Sequence, residues 1–89
     1  ISEATTRLRD WLIAEMSAKR YKAEINEETL IHRLHLEKHL KSRKKDRLQQ
    51  QLTKAIQVSQ HLGIILDVEE QQGVMGQKKY VFKLNKDFD

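Results

Sequence analysis

"LTKAIQVSQHLGIILDV", residues 52–68, changes its hydrophobic period part-way along. Up to residue 62, small or apolar side chains recur every three or four positions. Leu52, Ala55, Ile56, Ser59 and Leu62 therefore share one side of a helix. From Ile64 the recurrence drops to every second position, which puts Ile64, Leu66 and Val68 on one side of a strand. Gly63 stands at the changeover, where the left-handed backbone that closes a helix meets no Cβ penalty. The stretch predicts a helix that stops and a strand that starts.

Upstream, Leu48 extends the same stripe, and Ser42 can accept the first hydrogen bonds of the helix, predicted over 43–62. "HLEKHLKS" (35–42) reads equally as a continuing helix or as a turn. Asn26 is placed as the N-cap of a shorter helix over about 27–35, with Glu27 and Glu28 in its first turn and Leu30, Ile31 and Leu34 on its apolar face. A first helix is predicted over 3–20. Ser2 caps it, Leu8, Trp11, Leu12 and Met16 form its stripe, and Glu15 interrupts that stripe. Trp11 is expected to anchor the core beneath the 43–62 helix. "YKAEI" (21–25) alternates weakly, too short to stand alone but able to pair as a third strand.

Downstream, Tyr80, Phe82 and Leu84 of "YVFKL" repeat the period of two, so a second strand is expected over 80–84. Between the strands, "EEQQGVMGQKK" (69–79) carries Gly73 and Gly76 and reads as a long, loose hairpin tip. The expected fold is α+β and mainly α: three helices followed by a two-stranded antiparallel hairpin, in one domain over 1–89.

Charge is distributed unevenly. Residues 1–37 hold 6 basic and 7 acidic side chains, residues 64–89 hold 4 and 5, and residues 38–63 hold 7 and 1. The net charge of +4 is therefore concentrated in the middle of the chain. Localised charge of one sign argues for an anionic partner in a way that a high isoelectric point does not. Cations opening a helix oppose its dipole by about 0.3–1 kcal/mol each, so "KSRKKDR" (41–47) raises the question of what relieves it. On a helical projection Arg43, Arg47, Gln50, Gln51 and Lys54 fall within an arc of about 100°, away from the apolar stripe. Lys45 alone projects toward that stripe.

Arginine and glutamine can form paired hydrogen bonds to guanine and adenine edges, while lysine and arginine neutralise phosphates. The alternative for such a face is a solvated surface that only keeps a small domain soluble. Other constellations carry less. His32, His35 and His39 would align on an unbroken helix, but their spacing is not a zinc signature and no cysteine completes a site. No catalytic set, cofactor or metal site is assigned, and an enzyme is not expected. Without cysteine, an intracellular setting is the easier reading, cytoplasmic with the nucleoid or nuclear. No apolar run is long enough to span a bilayer, and the start at Ile1 points to a domain excised from a longer protein.

The order "INEETLIHRL", basic turn, "LTKAIQVSQHLGIILDV", hairpin resembles the winged helix-turn-helix domain over about residues 5–85. It is loosely similar to the winged helices of plasmid and phage replication initiators. The resemblance implies double-stranded DNA binding within a replication initiator or a transcription regulator. The 43–62 helix would enter the major groove with Arg43, Lys44, Arg47, Gln50, Gln51 and Lys54. Lys41, Ser42 and Lys45 would meet phosphates at its start. The wing over 69–79 would hold the flanking backbone through Gln77, Lys78 and Lys79. Other domains of the same chain, or a homodimer partner meeting helix 1, fit the same picture. Winged helices also dock proteins, so an interaction module for an acidic partner is the rival expectation.

Overall fold

In the computed structural model, which describes residues 3–38, 45–73 and 76–88 with only the backbone of Lys45, six elements follow one another. They are α1 (Glu3–Ser17), β1 (Lys22–Asn26), α2 (Glu27–Arg33), α3 (Lys45–His61), β2 (Ile65–Gln72) and β3 (Lys78–Leu84). The class is α+β, about half helical, with one antiparallel sheet in the order β1-β3-β2. The expected order of three helices and then a hairpin needs correction, because β1 lies between the first two helices. The weakly alternating segment near 21–25 is a full edge strand, paired with β3 from Lys22↔Lys83 to Asn26↔Lys79. Helical backbone also resumes at Glu37 and Lys38, after α2. Ser2 and Ser42, the expected caps of α1 and α3, lie outside the described residues. Asn26 has the extended backbone of an N-cap, but its side chain makes no capping bond.

α1, α2 and α3 close with the same hydrogen-bond pattern, and only one uses glycine. After α1, the N–H of Lys19 donates to the Met16 carbonyl and that of Arg20 to Glu15. After α2, His35 donates to His32 and Leu36 to Ile31; after α3, Gly63 donates to Gln60 and Ile64 to Ser59. The pivot residue is left-handed each time, with φ of 61° at Lys19, 59° at His35 and 86° at Gly63. This paired closure satisfies carbonyls that the helix leaves open. Contacts across it differ with the sequence. Leu36 and Ile31 are both buried, whereas Arg20 reaches back to Glu15 as an ion pair of 2.8 Å.

A lysine held left-handed is strained by about 1–2 kcal/mol, and glycine's extra freedom in the unfolded chain returns only part of that. Lys19→Gly is therefore expected to stabilise the fold by about 0.5–1 kcal/mol, read as a rise of about 2–6 °C in Tm. Gly63→Ala should lose about 1 kcal/mol, purely from backbone, because a Cβ there would meet nothing within 4 Å. A melt in which Lys19→Gly destabilises would rule out the left-handed closure.

The helices pack against one face of the sheet, and α1 lies along α3. Ala4, Leu8 and Leu12 of α1, Leu48, Leu52 and Ala55 of α3, and Leu30 and Ile31 of α2 meet Ala23, Ile25, Tyr80, Phe82 and Leu84 from the sheet. Ser59 is fully buried without penalty, since its hydroxyl donates to the Ala55 carbonyl at 2.9 Å. Trp11 is half-buried, and its ring partners are Phe82, edge-on at 6.3 Å, and Arg33, at 5.3 Å from the ring centroid. It thus packs against the core from α1, with its ring partners on the sheet and α2.

Two apolar expectations reverse. Leu62 is 43% exposed, because α3 has ended at His61 and the closing turn rotates its side chain outward. Leu66 is 64% exposed while Ile65 is buried, the opposite of strict alternation from Ile64. The register explains this: Ile65 pairs with Leu84 and Asp67 with Lys83, leaving Leu66 as an extra, unpaired residue. Such a bulge shifts the phase of the strand by one residue. Beyond it Val68 faces Phe82 on the core side. The long loose tip is also much shorter than expected. Glu69–Gln72 and Lys78–Lys79 belong to the ladder. Among the described residues no helix is long and apolar enough to cross a membrane.

Candidate nucleic-acid interface

Burial of Leu48, Leu52, Ala55 and Ser59 fixes the rotation of α3 and so decides what its other side shows. Arg47, Gln50 and Lys54 are exposed there, and Gln51 is half-buried beside them. Arg47 and Lys54 have no ion-pair partner among the described residues. All four residues lie off the buried stripe, as the sequence pattern predicts, and Glu3 of α1 shares a groove with two of them, Arg47 and Gln51. Lys41, Ser42, Arg43 and Lys44, and the side chain of Lys45, lie outside the described residues.

No family model, curated protein or solved structure matches this chain.

The hairpin lysines stand differently. Adjacent strand residues point to opposite faces, so Lys78 and Lys79 cannot act as one basic tip. Lys78 lies on the core side. Its Nζ is 3.3 Å from Glu70 Oε1, 3.7 Å from Glu27 Oε2, and 5.3 Å from the centre of the Tyr80 ring. Lys79 lies on the outer side, 3.1 Å from Glu24 Oε2. That contact, first as a hydrogen bond and then as a charge, holds the Glu24 carboxyl below its ordinary range. Gln77 is exposed in the turn, where its backbone carbonyl accepts from the Gly73 N–H.

The Tyr80 hydroxyl donates to Glu27 Oε2 at 2.8 Å. Burial pushes its pKa upward, and the carboxylate of Glu27 adds to that. The phenol therefore stays a donor and ties the hairpin to the start of α2. Glu27, Tyr80, Lys78 and Glu70 make one polar cluster from α2, β3 and β2. No sequence feature announced it, since Glu27 and Tyr80 are far apart in the chain.

The histidines do not align. α2 ends at Arg33 and His35 turns left-handed, which breaks the helical spacing between His32 and His35; His39 lies outside the described residues. His32 Nδ1 instead sits 2.8 Å from Glu37 Oε1.

Near the amino end of α3, Arg47 and Gln51 border a surface groove of about 390 Å³ together with Glu3, His35 and Lys38. Lys38 was not singled out as a DNA contact from the sequence, whereas a phosphate contact was one reading of His35. The signal for Lys38 was membership of the basic middle segment, 38–63.

Proposed function

We propose that this domain is a winged helix that binds double-stranded DNA, with α3 as the helix that enters the major groove. The observation that carries the reading is the unpaired face of α3. Arg47, Gln50 and Lys54 are exposed together, and the two cations have no acidic partner among the described residues. A face that only kept the domain soluble would tolerate interleaved carboxylates. This one has none between Arg47 and His61. The antiparallel hairpin following directly on α3, with β1 completing the sheet, supports the winged-helix arrangement.

In this reading Arg47 and Lys54 neutralise phosphates or reach guanine edges, and Gln50 and Gln51 supply paired donors and acceptors for adenine. The uncharged glutamines are what an acidic protein partner would leave idle. Lys41, Ser42, Arg43, Lys44 and Lys45 extend the same positive segment toward the backbone. Gln77, Lys78 and Lys79 contact the flanking strand, and the two lysines must first leave their carboxylates. Service in replication initiation or in transcription regulation follows from the resemblance and belongs to the same proposal.

Titration of a duplex at several salt concentrations tests it. With about six phosphates neutralised, log affinity should fall against log salt with a slope of about −5. A slope near zero would end the proposal. An acidic protein partner that duplex DNA fails to displace would favour the interaction module instead.

A further inference from the structure

We infer that the groove between the start of α1, the turn after α2 and the first turns of α3 is a phosphate-binding subsite, formed by Lys38, Arg47, His35 and Gln51. The inference rests on the DNA-binding reading for its ligand, a backbone phosphate lying beside the strand that α3 reads. Its chemistry, a phosphate held by converging N–H donors, stands apart from that reading.

Two chain segments bring these side chains to one place. His35 and Lys38 come from the turn and helical residues after α2, and Arg47 and Gln51 from successive turns of α3. Underneath, Ala4, Leu34 and Leu36 are buried at 4%, 2% and 5% exposure. The platform is therefore part of the core, and it sets the backbone positions that carry the polar groups above it. Small-molecule pockets are mostly apolar with a few polar groups. This groove has the reverse make-up, charged at the rim and apolar only at its floor.

The groove carries more positive than negative charge. Among the described residues Glu3 is the one carboxylate on its lining; Arg7, which lies outside that lining, engages it most strongly, and His35 and Lys38 act on it more weakly. Arg7 Nη2 and Nε both donate to Glu3 Oε1, at 2.6 and 3.1 Å. Glu37, the acid next to Lys38, is taken by His32. Lys38 and Arg47 thus face the groove without an ion pair among the described residues. The amino end of α1 adds the positive end of a fifteen-residue helix to the same potential. Arginine and lysine together with neutral donors are the set that recurs at backbone phosphates.

Such a contact would lie on the α1–α2 side of α3, whereas the hairpin lies toward the beginning of α2, where Gly76, Gln77 and Lys78 approach Asn26 and Glu27. The helix would then be held to the duplex from two sides, which fixes its depth and angle in a groove.

Two arms test this. In the first, inorganic phosphate is titrated into the ¹⁵N-labelled domain. The amides of Ala4, His35, Lys38 and Gln51 should shift together along one saturating curve, and Lys38→Ala should weaken that curve severalfold. In the second, duplex affinity is measured against salt for the wild type, Lys38→Ala and Glu3→Gln. Lys38→Ala should reduce the slope by about 0.9 and weaken every duplex about fivefold at 0.15 M salt, whatever its sequence. Glu3→Gln, which removes the groove's carboxylate and releases Arg7, should act in the opposite direction and tighten binding.

The inference is overturned if phosphate shifts lysine amides indiscriminately, or if Lys38→Ala leaves the slope unchanged in a protein that binds duplex. It is equally overturned if the two substitutions act in the same direction. Saturating phosphate shifts at these residues in a domain that binds no duplex would uphold the subsite for free phosphate and sink the DNA reading instead.

Discussion

Phe82→Ala is expected to remove about 3–5 kcal/mol of folding stability. For a domain of this size the whole reserve is about 4–13 kcal/mol, so the variant would sit near the edge of folding at 37 °C. The reason lies in its neighbours. Phe82 is fully buried on the central strand, opposite Ala23 on one side and Val68 on the other. The Tyr80 ring stacks beside it at 6.0 Å with planes 3° apart, and the Trp11 ring meets it edge-on at 6.3 Å. Aromatic pairs of this kind contribute about 0.5–1.5 kcal/mol beyond the area they bury. Each is also anchored elsewhere, Tyr80 by Glu27 and Trp11 by Arg33, so neither ring can swing in to fill the space.

The informative control is Leu66→Ala on the neighbouring strand. Strict alternation would make Leu66 a core residue, with a loss of about 2–5 kcal/mol on truncation. The bulge instead leaves it 64% exposed, and truncation should change stability by no more than about 0.5 kcal/mol. Urea denaturation of both variants, followed by near-ultraviolet circular dichroism of Trp11, decides between these outcomes. Equal losses would mean that β2 runs without its bulge and that the sheet is in another register.

The contrast between these residues also marks what the sequence could disclose. Helix α3 was legible because its stripe from Leu48 to Ser59 is long and because Gly63 announces its end. β3 was legible because Tyr80, Phe82 and Leu84 alternate without interruption. The ends of α1 and α2 were not, since the left-handed pivots there are Lys19 and His35, residue types that carry no stop signal. Nothing local to "IILDV" reveals which residue is extra, because a bulge is a property of two strands and appears only once Leu84 and Lys83 are paired. The exposed part of the candidate interface, Arg47, Gln50 and Lys54, followed from helical periodicity alone. The pairing of the hairpin lysines did not, because the partners Glu24 and Glu27 come from β1 and α2, more than fifty residues earlier.

That difference in pairing gives the second large effect, and it separates two groups of lysine and arginine by what they do to folding. Arg47→Ala with Lys54→Ala should leave the melting temperature nearly unchanged, since neither side chain contacts the rest of the domain as an ion pair. Duplex affinity should nevertheless fall by about 30-fold or more at 0.15 M salt, with the slope against log salt reduced by about 1.8. Loss of sequence preference in addition would assign Arg47 to a base edge and not to a phosphate. Lys78→Ala and Lys79→Ala should behave otherwise. Both should lower stability modestly, because Glu70, Glu27 and Glu24 lose a partner, and both should weaken duplex binding by less than an exposed cation does. A phosphate can recruit these lysines only by displacing carboxylates already in place. Glu24→Gln therefore has the opposite sign: it frees Lys79 and should tighten binding to every duplex while slightly destabilising the fold. Acidification should imitate it, for the lowered carboxyl of Glu24 stays ionised, and the pair intact, until the pH falls below the ordinary carboxylate range. If Glu24→Gln instead weakens duplex binding, Lys79 serves the hairpin only as a structural cation, and the backbone contact must be sought along α3 and its flanking groove.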